Sequence, residues 1–303
     1  MSQEPDEKDA ELQRLHSQAD AREDEIRDMG EHEHRQDTLI ERLRLEAQVR
    51  DDELAGLRWR LAVAEHELED LRAIRDALTP SELPERPGLE LAAAFVPAAE
   101  QVSGDFYLVA AGPQGSTVLV IGDVVGHGLQ AARRAAFVRT AFAATAPFSD
   151  YPWRLLSWAN TALVERAGTS SDFVTAACMT YLPRERLLRW AYAGHPPALR
   201  LADGRELMAP SQGVPLGVRP EPEYDEGTLE PEASTGVLLY TDGLTEARHN
   251  GTFFGLEGVT AVLGELENPS ADEAVSTLRA RVAEFADADS LTDDLCMLAA
   301  SIA

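Results

Sequence analysis

The chain has 303 residues, 44% of them hydrophobic and 26% charged, which is ordinary for a soluble globular protein and enough for one large domain or two modest ones. Its net charge of −26 is not ordinary. It argues against nucleic acid and against an anionic membrane surface as partners, because both demand clustered Lys and Arg, and Lys8 is the sole lysine. No charged-then-apolar leader opens the chain, and no stretch reaches the roughly 18 apolar residues that a membrane span needs, so a cytoplasmic location is expected. Cys178 and Cys296 each sit in an apolar run, without C-x-x-C or zinc-ligand spacing, and read as buried small hydrophobes.

Glu, Asp, Arg, Leu and Ala dominate the first 80 residues, where Trp59 is the sole aromatic. A heptad laid over them has a positions Leu12, Ala19, Ile26, Glu33, Ile40, Ala47, Leu54, Leu61, Leu68 and Arg75. Its d positions are Leu15, Arg22, Met29, Gln36, Leu43, Arg50, Leu57, Ala64, Leu71 and Leu78. Fifteen of the twenty are apolar with no register shift, a regularity that a straight helix of period 3.6 would not hold. The pattern predicts a helical coiled coil over residues 1–80, a dimerisation and regulatory region, strongest from Ile40 to Leu78. Arg22, Gly30, Glu33 and Gln36 weaken the earlier half, so whether residues 1–39 are ordered stays open, as does the strand number. Pro80, Pro84 and Pro87 end the helix, and 81–88 reads as a Pro-rich linker.

From about Gly88 the pattern changes. Strands are predicted at Leu89–Val96, Phe106–Ala110, Ser116–Ile121, Phe173–Leu182, Leu187–Ala193, Ala198–Ala202, Gly236–Tyr240 and Leu295–Ile302. Helices are predicted at Gly128–Ala146, Trp153–Ala167, Leu256–Leu263 and Ser270–Phe285. Strands and helices do not alternate one-to-one, so a layered α+β domain fits better than a doubly wound parallel sheet.

Four acidic sites share one grammar, a carboxylate at the end of an apolar strand or beside a glycine turn. They are Asp105 in VSGDFYLV, Asp123 in VLVIGDVVGHG, Asp242 in LLYTDGLTEAR, and Asp293 with Asp294 in SLTDDLCMLA. Each alone is ordinary turn chemistry. Converging, they would repel one another unless a cation neutralised them, and an all-oxygen set suits Mg²⁺ or Mn²⁺ rather than Zn²⁺. The strand–glycine–helix run at 118–132 also invites a nucleotide reading, which its chemistry rejects. Gly126-His127-Gly128 runs into Leu129-Gln130 with no P-loop Lys, and no second strand end offers the ribose-binding acid of a dinucleotide site.

In order and spacing, GDFY, IGDVVGHG, AYAGHPPALRL, LLYTDGLTEARHNGTFFG and TDDLCML resemble the PPM or type 2C metal-dependent Ser/Thr protein phosphatases, and more narrowly their bacterial SpoIIE/RsbU-like branch. The resemblance runs from about Leu89 to Ala303 and leaves out the first 80 residues. It implies an α-β-β-α sandwich, two antiparallel sheets flanked by helices, with two Mn²⁺ or Mg²⁺ ions at one end. By position, Asp123 would bridge both ions and the Val124 carbonyl would ligate one. Asp105 would serve the second ion, with Asp242 and Asp293 completing the first and Asp294 the alternative to Asp293. The implied reaction is metal-assisted hydrolysis of a phosphoserine or phosphothreonine without a covalent phosphoenzyme.

His127 stands where it could protonate the departing alkoxide, or merely cap the next helix or hold an acid. His195, in the AGHPP turn, reads as structural, holding the loop between two strands. Thr245 and Glu246 could support the ligands or close the loop. Ser103 and Leu108 replace a glycine and an aspartate usual in the branch, and Cys296 stands where Thr is usual; none removes an expected ligand. The branch implies a substrate as well, a phosphorylated STAS-domain anti-anti-sigma factor in a partner-switching stress pathway. A chain with no obvious basic patch would recognise it by docking a folded partner. A regulatory protein at the coiled coil is also expected, and the competing reading is an inactive, phosphatase-like adaptor that binds phosphorylated partners.

Overall fold

The computed structural model describes residues 39–63 except 52, 78–79, 82–96, and 104–302 apart from 127, 168–172, 233–234 and 287–293, together with positions 14, 17, 22, 27, 29 and 36. The chain divides into two compact units, Met1–Leu68 and Glu69–Ala303. In the first, residues 39–51 and 53–63 form a helix, α1, with an ion pair of Arg42 Nε to Glu46 Oε1 at 2.9 Å along one face. Its heptad residues Ile40, Leu43, Leu54, Leu57 and Leu61 are all exposed in the single chain. The rest of the expected coiled coil, 1–38 and 64–77, lies outside the described residues apart from the six single positions. Among the described residues no helix is long and apolar enough to cross a membrane.

The second unit is a β-sandwich. Its elements are β1 (Leu89–Val96), β2 (Phe106–Ala111), β3 (Thr117–Val124), α2 (Leu129–Thr145), α3 (Pro152–Ala167), β4 (Val174–Leu182), β5 (Leu187–Ala193), β6 (Leu199–Arg200), β7 (Gly227–Leu229), β8 (Gly236–Tyr240), α4 (Gly243–Glu246), β9 (Arg248–His249), β10 (Thr252–Phe253), α5 (Gly255–Glu265), α6 (Ala271–Phe285) and β11 (Leu295–Ile302). One sheet has the order β2-β3-β4-β5-β7 and the other β1-β11-β8-β6, every ladder antiparallel. The expected α-β-β-α layering is therefore present. Short elements escaped the sequence reading: β7, the β9–β10 hairpin and the single-turn α4 are too brief to carry a period.

The core has three layers, and strand parity decides which residue enters which. Val118 and Val120 of β3 pack with Ala132, Val138, Phe142, Leu155 and Leu156 of α2 and α3, while Leu119 and Ile121 face the other sheet. In β8, Leu238 and Tyr240 join Val259, Leu263 and Leu278 of α5 and α6, whereas Val237 and Leu239 point between the sheets. Both faces of the central strands are thus covered, which is why they read as unbroken apolar runs rather than alternating ones. Leu78, the last heptad position, is only 2% exposed and belongs to the core under α2 and α3. Helix ends follow local chemistry: α3 begins on Pro152, and the Ser270 hydroxyl caps α6 by accepting from the Glu273 N–H at 3.1 Å.

Candidate metal and phosphate site

Continuing strand parity past the strand ends puts one polar residue per strand at the same rim of the space between the sheets. In β3 the inward series Leu119, Ile121 ends on Asp123, and in β2 the residue two before Tyr107 is Asp105. In β8, Val237 and Leu239 lead to Thr241, and in β11, Leu298 and Cys296 lead back to Asp294. The registers Phe106↔Gly122 and Met297↔Tyr240 bring these termini side by side within each sheet.

The two sheets are tied at this rim. Thr241 Oγ1 donates to Asp105 Oδ2 at 2.8 Å and accepts the Cys296 N–H at 3.1 Å, so one buried hydroxyl joins β2, β8 and β11. Asp105 is 3% exposed. Burial pushes its carboxyl well above the ordinary range, the Asp123 charge and a hydrogen bond with Asp123 push it further, Asp294 adds to this, and the Thr241 donor opposes them. The buried Cys296 thiol is likewise driven up, by burial first and then by Asp105, Asp294 and Asp123, so it stays protonated. Cys178 is also buried and unpaired. Both cysteines are the small hydrophobes expected.

Two glycines permit the approach. A Cβ on Gly104 would lie 2.6 Å from the carbonyl oxygen of Val124, and one on Gly243 would collide with that of Asp294. Gly104 thus lets the backbone of Asp105 lie against Val124, and Gly243 lets the turn after Asp242 lie against Asp294. Asp242, half-buried, opens α4; its carbonyl accepts the Glu246 N–H at 2.8 Å and the Thr245 hydroxyl at 3.0 Å. Thr245 therefore braces that turn, and Glu246 is exposed.

Of the residues expected from sequence, Asp105, Asp123 and Asp294 are brought into one electrostatically coupled group, with Val124 next to Asp123 and Asp242 next to Thr241. Asp293 and His127 lie outside the described residues. Among the described residues, no three His, Cys, Asp or Glu side chains form a ready-made metal cage. The donor chemistry nonetheless fits a hard dication: carboxylate oxygens, buried at Asp105 and Asp294 and half-buried at Asp123 and Asp242, with Asp123 and Asp294 both acting on Asp105. His195 is 3% exposed, with Nε2 at 3.0 Å from the Tyr240 carbonyl and Nδ1 at 2.9 Å from Thr175 Oγ1, and burial lowers its pKa to about 4. Sequence reasoning missed Thr241 and Thr175. Their signal was a threonine within or just past a largely apolar strand run.

Solved structures with this fold include the PP2C domain of Pseudomonas aeruginosa SiaA (TM-score 0.64, 19% identity, covering 79% of this chain and 97% of that one). The PP2C domain of SpoIIE from Bacillus subtilis, with a fragment of its regulatory domain, gives 0.59 at 13% identity over 72% of this chain and 64% of that one. The RsbU and RsbW domains of a Mycobacterium tuberculosis protein give 0.58 at 24% over 72% and 61%. The sandwich is thus a PP2C-type phosphatase fold. The family described as stage II sporulation protein E (SpoIIE) matches residues 113–303, and the chain belongs to that family. It is 26% identical over 214 residues to the phosphoserine phosphatase RsbU of Bacillus subtilis, covering 70% of this chain and 63% of RsbU. The chain thus spans a little under two thirds of that relative's length.

Proposed function

We propose that the protein is a metal-dependent phosphoserine or phosphothreonine protein phosphatase. The observation that carries this reading is the buried contact of Asp105 with Asp123, Asp294 close by, in a chain similar to a phosphoserine phosphatase. In it, Asp105, Asp123, Asp242, Asp293 or Asp294, and the Val124 carbonyl would together hold two Mn²⁺ or Mg²⁺ ions. When bound, such ions would supply activation of water and neutralisation of the phosphoryl charge. The chain's own contribution is to fix the acids: Thr241 orients Asp105, Gly104 admits the Val124 carbonyl, and Thr245 braces the turn of Asp242. In this reading His127, three residues after Val124 in the sequence, gives a proton to the departing alkoxide. Acids at every expected ligand position speak against an inactive adaptor.

The substrate in this reading is a phosphorylated STAS-domain anti-anti-sigma protein, recognised by docking. The likeness to RsbU supports a place in a partner-switching circuit that controls a sigma factor. The helical region forms a homodimeric coiled coil, supported by the exposed Ile40, Leu43, Leu54, Leu57 and Leu61 of α1, and a regulatory protein acting there alters the geometry of the 81–88 linker. The testing experiment is Mn²⁺-dependent hydrolysis of a phosphoserine peptide by the full chain, with Asp123→Asn alongside. Activity that the substitution abolishes supports the reading, and no hydrolysis by either protein overturns it. A phosphoproteomic comparison with and without the gene identifies the substrate. Deleting residues 1–68, which keeps Leu78 in the core of the second unit, tests the coiled coil: a variant still dimeric and unchanged in activity and in partner response rejects it.

A further inference from the structure

We propose that His195 is a positioning residue for the acid cluster, a neutral strut whose ring sets the spacing between the two sheets at their acid-bearing rim. The inference rests on the metal-site reading above. His195 follows the end of β5, where the Gly194 N–H donates to the Gln212 carbonyl at 2.8 Å, and its ring is buried between the layers. One nitrogen reaches each sheet: Nδ1 meets Thr175 of β4 at 2.9 Å, and Nε2 meets the Tyr240 carbonyl of β8 at 3.0 Å. The Tyr240 carbonyl can only accept, so Nε2 carries the hydrogen. Nδ1 is then bare in a neutral ring and accepts the Thr175 hydroxyl hydrogen, and burial keeps the ring neutral.

What each partner touches gives the strut its consequence. Thr175 is the cross-strand partner of Asp123, so holding Thr175 holds the β3–β4 ladder at the residue that carries the carboxylate. Tyr240 precedes Thr241, whose hydroxyl grips Asp105, and Thr241 precedes Asp242. An unbroken path of short bonds therefore runs from the Asp123 pair, through Thr175, the His195 ring and Tyr240–Thr241, to Asp105. The ring spans the gap between sheets, which no backbone ladder does. A displaced His195 would leave every acid in place on its own strand and change the distance between strands, which is the quantity a shared cation reads.

The test is Mn²⁺ titration calorimetry on the full chain, with circular dichroism for folding and phosphoserine-peptide kinetics alongside. His195→Gln keeps an amide donor and a carbonyl acceptor and is expected to bind Mn²⁺ within about threefold of wild type, whereas His195→Phe, folded, binds about tenfold or more weakly, with kcat falling more than KM. A folded His195→Phe protein with wild-type affinity, or a His195→Gln protein as weak as His195→Phe, overturns the proposal. If His195→Phe does not fold, Thr175→Val decides: about tenfold weaker binding supports the strut and unchanged binding removes it. Wild type that binds no Mn²⁺ overturns the metal-site reading and this inference with it. Wild type that binds Mn²⁺ but hydrolyses no phosphoserine peptide overturns the phosphatase reading alone, because the affinities still report on His195.

Discussion

Two carboxylates in this sandwich are driven up by burial, and they differ in what answers them. Glu226 faces Arg189, whose Nη1 lies 3.5 Å from Glu226 Oε1; the guanidinium pulls the carboxyl back toward its ordinary range, and Arg189 also stacks over Tyr151 at 4.3 Å. Asp105 has a hydroxyl for a donor and two further acids for neighbours. Glu226 is answered by a cation of the chain itself, although among the described residues its Oε2 and the Arg189 Nε keep no hydrogen-bond partner. At the rim, Asp105 meets like charges and a hydroxyl, an arrangement that a bound cation would stabilise.

That contrast is most sharply broken at Asp123. Asp123→Asn is expected to reduce Mn²⁺-dependent hydrolysis of a phosphoserine peptide by about 10³-fold or more. The same substitution relieves repulsion on Asp105, so the metal-free protein should melt higher, by roughly 2–4 °C for each kcal/mol gained. A variant that loses both activity and apo stability would put Asp123 in the same class as Glu226.

Next in size is the effect of acid on His195. Its folded pKa of about 4 lies below the ordinary value of about 6.5, so the unfolded chain binds the proton first as pH falls. Stability from this residue is complete above pH 6.5 and is lost between 6.5 and 4, on the order of 3 kcal/mol in all. Asp105, whose folded pKa is raised, contributes in the opposite direction, so the informative measurement is the difference in melting temperature between wild type and His195→Gln from pH 7 to 4.5. The variant should lose less over that range.

Thr241→Val, which keeps shape and removes the hydroxyl, takes one hydrogen bond from Asp105 and one from the Cys296 N–H. It should cost about 1–3 kcal/mol, with Thr241→Ser recovering most of it, both read by denaturant unfolding. The smallest effect is expected from Arg189→Ala, about 1 kcal/mol by the same measurement, with peptide hydrolysis unchanged.

The long elements were legible because their signals are local. β1, β5, β8 and β11 match the apolar runs residue for residue, and α2, α3, α5 and α6 fall within two residues of their expected bounds. The acids were legible as strand ends. What sequence could not supply was which face each strand turns inward, the parity that brings Asp294 close enough to act on Asp105. Thr241 and Thr175 went unread for the same reason, since a hydroxyl in a strand gains meaning only from what stands opposite, here 136 residues away for Thr241 and Asp105. For His195 the turn was recognised, but not that its ring reaches across to β8.

The leucines of α1 have a consequence of another kind. The sandwich buries three apolar clusters within one chain. α1 leaves Leu43, Leu54, Leu57 and Leu61 uncovered, and a helix draws most of its stability from packing its apolar face. In the proposed dimer its order is second-order in protein concentration, a mass-action quantity that dilution removes while the sandwich stays folded. The amino-terminal helix would then register how abundant the protein is, independently of any signal it receives.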